Sequence, residues 1–369
     1  LEERIKKDPT IKDVARLAGC GIATVSRVLN ESGSVSPESR SKVLAAAREL
    51  GFAFSDLGRS LRSNVTQTIG CVVPSINNPV YAEAVQGLQD LATRRGYQIL
   101  LSCTGYDLHQ ELAAVQTLIG KRVDALVLTM SDAAHSKAIK LIRARNLPYC
   151  LLFNHDPKAP SRAAVDNGLA AYEAGRSIAA AGHRAIGFIT LRLSQSDRAS
   201  QRLDGLTAAC RDFTLAPPVL LEIEEQTRDL DSKLAAFLSQ NAFITALFAS
   251  NDLLALALMA SLRRLGLRVP EEISVVGFDG IGFGQMMEPT LATIETDPYA
   301  MGQAAGVMTL SLISNRATGA SAPLAAEFKF RSGGSLGVPA DGHVLAKKLQ
   351  LLRQRSLPLL KQITSLEER

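Results

Sequence analysis

The chain has 369 residues, 46% hydrophobic and 21% charged, with a formal charge of +5; this is globular composition with room for two or three cored domains, and it permits a nucleic-acid partner without requiring one. Cys20, Cys71, Cys103, Cys150 and Cys210 include no C-x-x-C pair, which argues against a disulfide framework or a zinc site and for a reduced compartment. No apolar run approaches the roughly 18 residues of a membrane span, and the charged start LEERIKKDPT lacks a secretory apolar segment, so a cytoplasmic protein with no membrane partner is expected.

Three short helices are predicted first. Thr10 stands as an N-cap with Asp13 in capping-box position, and Ile11, Val14, Ala15 and Ala18 share one helical face. Gly19-Cys20-Gly21 interrupts the pattern before a second segment, 22–29, that turns Val25, Val28 and Leu29 inward. Ser36-Pro37 reads as a cap followed by proline at the first helical position, opening a third helix with the stripe Val43, Leu44, Ala47 and Leu50, ended by Gly51.

The stretch 55–63, SDLGRSLRS, is polar and basic and reads as a linker able to fold conditionally. Beyond it, strand-like runs at 68–73, 98–103, 125–129 and 149–153 alternate with helical runs at 80–95, 110–120 and 135–145. A second series follows, with helices at 170–181, 199–211, 231–239 and 252–265 between strands at 185–190, 219–223, 246–249 and 274–278. Two doubly wound parallel sheets are the economical interpretation, with a ligand cleft between two lobes outside the carboxyl ends of the strands. The runs 291–295, 299–313 and 325–330 are expected to cross back and complete the first lobe. In the tail, Leu345, Leu349, Leu352, Leu359, Ile363 and Leu366 recur at helical spacing among basic residues, which suits either an amphipathic oligomerisation helix or one packed on its own domain.

The segment PTIKDVARLAGCGIATVSRVLNESGSVSPESRSKVLAAARELGF, residues 9–52, closely resembles the headpiece of the LacI/GalR family of bacterial transcription regulators, through the spacing of D-V-A, A-G, T-V-S-R-V-L-N, V-S and L-G-F. The likeness continues in IGCVVPSINNPVYAEAVQGL, GHRAIGFI, ASNDLLALAL, VPEEISVVGFDGIG and LATIETDPYAMG, while GFGQMMEP and FRSGGSL look most like the gluconate-repressor branch. The resemblance implies an α/β protein. An all-α helix-turn-helix headpiece would span 9–54 and a hinge 55–66. A two-lobed, periplasmic-binding-protein-like domain of doubly wound parallel sheets would span 67–334, and the amphipathic tail 335–369. It implies a repressor of carbohydrate or sugar-acid genes, a homodimer on palindromic double-stranded operator DNA, or a tetramer through the tail, controlled by a small-molecule effector. Gly21 stands where the family places a serine, and Phe54-Ser55 and Gly58 depart from its hinge.

In a helix-turn-helix unit the second helix lies in the major groove. Ile22, Ala23, Ser26, Arg27 and Asn30 fall on its outward face: Arg27 can bridge guanine with two hydrogen bonds, Asn30 can serve a base or phosphate, and Ile22 and Ala23 suit thymine methyls. Thr10, Thr24 and Ser36 suit phosphates or serve as plain caps. The resemblance implies that Leu61 wedges between base pairs in the minor groove, with Arg59 and Arg62 at phosphates. It also implies that Asn154, Arg202, Asn251 and Asp279 hydrogen-bond a polyol effector, with Asn78 and Thr296 as lesser contributors. Arg198 and Arg202, four apart on one helix, can grip one anionic ligand together or pair with Asp197 or Asp204. No catalytic motif, metal-ligand spacing or phosphate loop stands out, so no enzyme activity and no cofactor are expected. The alternative, a solute-binding protein of the same two-lobed fold, has no use for a headpiece.

Overall fold

A carboxylate sets the first helix. In the computed structural model, which describes residues 9–29, 32–52, 65–224, 229–314, 324–340 and Lys348, Asp13 accepts from the Thr10 backbone N–H at 2.9 Å and from the Thr10 hydroxyl at 2.7 Å. That closes the amino end of α1 (Ile11–Ala18). Gly19, at φ +62, turns the chain toward α2 (Ile22–Leu29), and the Ser36 hydroxyl accepts from the Ser39 N–H at 3.2 Å to cap α3 (Pro37–Glu49). Val14, Val25, Val28 and Val43 form the centre of their shared core. One expectation is corrected: Leu44 stays 40% exposed and Ala46 turns inward instead. The inward stripe of α3 runs 43, 46, 47, 50, the i, i+3, i+4, i+7 spacing of one helical face, and position 44 falls on its flank. Asn30, the hinge residues Gly58, Arg59, Leu61 and Arg62, and the tail leucines lie outside the described residues.

The chain divides into two units, residues 1–66 and 67–369, and the second holds two six-stranded sheets. The first lobe begins β1 (Thr68–Val73), α4 (Pro79–Arg94), β2 (Gln98–Cys103), α5 (Leu108–Gly120), β3 (Ala125–Leu128), α6 (Lys137–Ala144), β4 (Tyr149–Leu152) and β5 (Arg162–Ala164). The second runs α7 (Asn167–Ala180), β6 (Ile186–Leu191), α8 (Asp197–Asp212), β7 (Val219–Ile223), α9 (Leu230–Gln240), β8 (Ala246–Ala249), α10 (Asp252–Arg264), β9 (Ser274–Asp279) and β10 (Ala292–Thr296). Then come α11 (Pro298–Ser314), β11 (Leu324–Ala325) and β12 (Phe328–Arg331). The strand orders are β11-β5-β4-β3-β1-β2 and β12-β10-β9-β8-β6-β7, parallel throughout except for β12 against β10. Strands β3, β4, β8 and β9 are buried along their whole length, as parallel strands covered on both faces must be.

Among the described residues the chain passes between the sheets three times, at residues 165–166, 297 and 326–327. The run 291–295 does not cross back as expected. As β10 it extends the second sheet, Ala292 opposite Val276 and Ile294 opposite Phe278. Leu291, Ala292 and Ile294 are fully buried, and the interior of that sheet supplies the cover they need. Among the described residues after β10, α11 and β11 are the elements that return to the first lobe, and the expected run 325–330 gives only its first residue to that sheet, residues 328–330 pairing with β10 instead. β5 has three residues, too few to show an alternation in the sequence.

Each lobe is braced by a helix pair whose backbones touch. A methyl group at Gly302 of α11 would lie 1.9 Å from the Ala84 carbonyl oxygen of α4, and one at Gly87 would lie 2.1 Å from the Tyr299 carbonyl oxygen. In the second lobe, a methyl at Gly205 of α8 would lie 2.0 Å from the Gly168 carbonyl oxygen of α7. Gly302→Ala is therefore expected to lower stability by about 1–3 kcal/mol through overpacking, although alanine is the better helix former. Denaturant unfolding of the full chain checks this; an unchanged or raised midpoint would show that the pair can part without cost.

Candidate functional site

On α2, Ile22 (47% exposed), Ala23 and Arg27 face solvent, while Thr24 and Ser26 are half-buried. The structure thus brings a guanidinium and two apolar side chains onto one exposed helical face, which can meet base edges carrying both acceptors and methyl groups. Thr10 and Ser36 are exposed caps, each engaged with its own helix.

The second unit has a small cleft where strand ends and helix starts converge. The Asn78 side chain accepts from the Val80 N–H at 3.2 Å to open α4, the Ser196 hydroxyl from the Ala199 N–H at 3.3 Å to open α8, and the Asn251 side chain from the Leu254 N–H at 2.9 Å to open α10. Both asparagine carbonyls are engaged by these caps, which leaves the amino groups as the parts suited to a ligand. Tyr81, Tyr106 and Phe153 form the first lobe's wall, with Tyr81 edge-on to Phe153 at 5.4 Å and its hydroxyl 3.2 Å from that of Tyr106.

The second lobe supplies the charges. Arg202 lies on the Phe278 ring, its guanidinium carbon 3.5 Å from the ring centroid. Its Nε donates to Asn167 Oδ1 at 2.9 Å, its Nη1 to the Ser250 carbonyl, and its Nη2 stands 3.7 Å from Asp279 Oδ1. Arg198 donates through Nη1 to the Met130 carbonyl at 2.8 Å and to Asp197 at 3.3 Å and interacts with the Tyr81 hydroxyl, yet its Nη2 makes no well-formed hydrogen bond although the side chain is only 4% exposed. The fully buried Thr190 hydroxyl, on the same cleft, is also unmatched. The expectation of a joint arginine grip is corrected by this arrangement. Two buried guanidiniums must be compensated within the protein, and Arg202 is compensated at all three nitrogens.

Asp279 sits at φ +118, a backbone conformation strained for a side-chain-bearing residue. Asp252 holds it there: Oδ2 accepts from the N–H groups of Gly280 and Ile281, both at 2.8 Å, and Oδ1 accepts from the Thr293 hydroxyl at 2.6 Å. Burial pushes the Asp279 carboxyl up to about 7, against the pull of Arg202, and pushes Asp252 up to about 6 against the Thr293 hydrogen bond. Burial thus favours the protonated form of Asp279 more than an exposed carboxyl would, and a protonated carboxyl can donate to a hydroxyl as well as accept from one.

Two expected ligand contacts are engaged with protein. Asn154 is fully buried and not on the cleft; it exchanges two 2.8 Å hydrogen bonds with the Met130 backbone and donates to the Asp197 carboxylate at 2.9 Å. The Asp197 N–H donates to the Ser131 carbonyl at 2.8 Å, and its carboxylate accepts from the Ala133 N–H at 3.3 Å. This cluster latches the start of α8 to the first lobe. Thr296 donates to the Asp279 carbonyl at 2.9 Å, which steadies the strained residue from β10. The expected alternative, an arginine paired with Asp197, is present at Arg198; sequence reasoning missed Tyr81, Tyr106, Phe153 and Thr190, and the available signal was their place at strand ends and helix starts, which aromatic and hydroxyl residue types do not mark as special. Among the described residues, no group of three or more His, Cys, Asp or Glu is placed to hold a metal, and no helix is long and apolar enough to cross a membrane.

Comparison with known proteins follows the same division of the chain. A model of bacterial regulatory proteins of the lacI family matches residues 10–54, and a periplasmic binding protein-like domain matches residues 176–335. The ribose operon repressor of Haemophilus influenzae is 32% identical over 309 residues, covering 83% of this chain and 92% of that protein. The PurR repressor of Aliivibrio fischeri is 33% identical over 317 residues, covering 83% and 92%. The Lac repressor dimer bound to operator and the anti-inducer ONPF superposes with a TM-score of 0.78 at 25% identity, covering 90% of this chain and all of that one. Ribose-operon and PurR repressors at 30–33% identity overturn the likeness to the gluconate-repressor branch. GFGQMMEP forms an exposed turn, and Gly333 of FRSGGSL is fixed by tight packing, 2.5 Å from a would-be methyl to the Ala292 nitrogen, so neither segment touches the cleft. A helical headpiece, a two-lobed sensing domain and relatives of this identity along most of their length agree: the chain belongs to the lacI family of bacterial regulatory proteins, DNA-binding transcription regulators rather than enzymes.

Proposed function

We propose that this chain is a homodimeric repressor of palindromic operators, controlled by a small carbohydrate, preferentially a sugar acid, held in the cleft. The observation that carries the effector reading is the pair of buried, unmatched polar atoms on the cleft, Arg198 Nη2 and Thr190 Oγ1. Leaving such groups without partners costs roughly 1–3 kcal/mol each, and a hydroxyl-rich ligand satisfies both. A carboxylate at Arg198 adds a charge-assisted hydrogen bond about twice as strong as a neutral one. Asn78, Asn251 and Asp279 then serve the remaining hydroxyls, and Arg202 positions Asp279. The ribose operon repressor among the relatives supports a carbohydrate. Control follows if the ligand favours one arrangement of the lobes, since only differential affinity shifts the DNA-competent population.

Thr10, Ile22, Ala23, Thr24, Ser26 and Arg27 form the operator-reading surface in this proposal, with Asn30, Arg59 and Leu61 completing it. For the dimer, the supporting feature is an apolar face on the second lobe, where Phe283, Met286 and Met287 are 57%, 80% and 37% exposed.

Arg27→Ala is expected to weaken binding to a selected operator by about 1–3 kcal/mol while leaving random duplex almost unaffected; equal losses on both would reassign it to phosphate. Met286→Asp should shift the sedimenting species from dimer toward monomer, and an unchanged mass would place the interface elsewhere. Calorimetry of the full chain with glucuronate, glucose, ribose and a purine base should show the acid binding best, with Arg198→Met lowering its affinity by about tenfold or more. Tighter binding of the purine base would defeat the carbohydrate reading, and a neutral sugar outcompeting the acid would defeat the sugar-acid preference.

A further inference from the structure

The chain that follows β12 is fastened to the second lobe, away from the effector cleft. The Ser335 hydroxyl donates to the Val275 carbonyl at 2.6 Å, the Gly337 N–H donates to the Ser274 hydroxyl at 3.1 Å, and the Gly337 carbonyl lies 3.0 Å from Nε2 of the fully buried His183. Further along, Lys348 Nζ donates to both carboxylate oxygens of the buried Glu272, at 2.8 and 2.9 Å. Parting this pair would leave a desolvated charge less compensated. The chain is thus held on this lobe at 335–337 and again at Lys348.

A groove begins beside that second anchor. Met259, Ala260, Leu267, Val269 and Met287 give it apolar walls, and Arg263, Arg268, Glu271 and Glu288 charged ones. Arg268 is engaged with Glu272 at 3.5 Å, and the groove shares no residue with the cleft. Lys348 is followed in the sequence by residues 349–357, LQLLRQRSL, and then by Pro358, all outside the described residues. A proline inside a helix removes a hydrogen bond and clashes with the carbonyl four residues earlier. A seam between copies along Leu345, Leu349, Leu352, Leu359, Ile363 and Leu366 needs a continuous helix through that position. A groove on the same lobe needs only the arm before it, which reaches roughly 14 Å as a helix.

We propose that residues 349–357 of the same chain occupy this groove, with Leu349 and Leu352 covering its apolar walls and Arg353 and Arg355 meeting Glu271 and Glu288. Two observations select this occupant. The arm begins one residue past Lys348, whose partner Glu272 adjoins Glu271 of the groove, and its basic residues complement the acids there. Docked in this way, the leucines of the arm are withdrawn from pairing with another copy.

The test uses the full chain with Leu352 replaced by the photo-crosslinker benzoylphenylalanine, irradiated as a mixture of isotopically light and heavy protein. Crosslinks from position 352 to 259–271 or 287–289 within one chain are expected. Crosslinks that join light to heavy chains, that end outside the groove, or that do not form at all overturn the proposal. Trypsin gives a second reading, because cutting after Arg353 or Arg355 requires the arm to leave the groove. Ala260→Glu and, separately, Leu349→Asp combined with Leu352→Asp should each speed that cutting about fivefold or more, with the sedimenting mass unchanged. An unchanged rate in either variant, or a change of mass, overturns the proposal. Should Ala260→Glu fail to fold, the arm variant, which leaves the core untouched, and the crosslink decide.

Discussion

The binding cleft depends on one carboxylate crossing from lobe to lobe. Asp197 begins α8 in the second lobe, yet its side chain is held by Asn154 and the Ala133 N–H, and its own N–H by the Ser131 carbonyl, all in the first. This contact fixes the start of α8, and with it the next residue, Arg198, whose Nη1 reaches the Met130 carbonyl of the opposite lobe. Ser131 is in turn held by Glu111, which accepts from both its N–H and its hydroxyl at 2.7 Å and whose carboxyl burial raises in pKa. A chain of buried polar groups of this kind is favourable only when its members are matched, and the atom left over, Arg198 Nη2, is the one at the cleft.

The second lobe's side of the cleft is organised by a different buried acid. Asp252 does not itself line the cleft, but it joins the amino end of α10, the turn after β9 and the strand β10 through a single carboxylate. Its two oxygens accept from two backbone N–H groups and a hydroxyl in a tight space, where a methyl added at the neighbouring Gly277 would lie 2.1 Å from Asp252 Oδ1. Asp279 takes its strained conformation from this frame, and Arg202 then meets it with the Phe278 ring beneath.

Local chemistry was legible in the sequence. The capping pair Thr10 and Asp13, Pro37 at its first helical position, and the strands 68–73, 98–103, 219–223 and 246–249 stand where pattern and propensity put them, because each answers to neighbours a few residues away. The fate of β10 was not legible: its apolar run satisfies either sheet, and only the register against β9 decides. The same limit applies to the cleft. Arg198, Asn251 and Asp279 are residue types that announce chemistry, and they do line it. Asn154 and Thr296 announce the same chemistry and are engaged inside the protein, a distinction made by partners 24 and 17 residues away. Thr190 announces nothing, since a threonine in a strand is ordinary until its hydroxyl is found without a partner.

The three passages between the lobes decide how the two are joined. With the chain crossing at 165–166, 297 and 326–327, each lobe carries its own glycine-braced helix pair on its own sheet, and short backbone segments are all that join the two along the described chain. The covalent route from the headpiece enters this assembly at β1, in the first lobe. Most of the charged cleft residues belong to the second. Arg198 and Asp279 therefore have no direct chain path to the amino-terminal unit, and among the described residues the second lobe connects to the first through these crossings and through contacts such as that between Asn154 and Asp197.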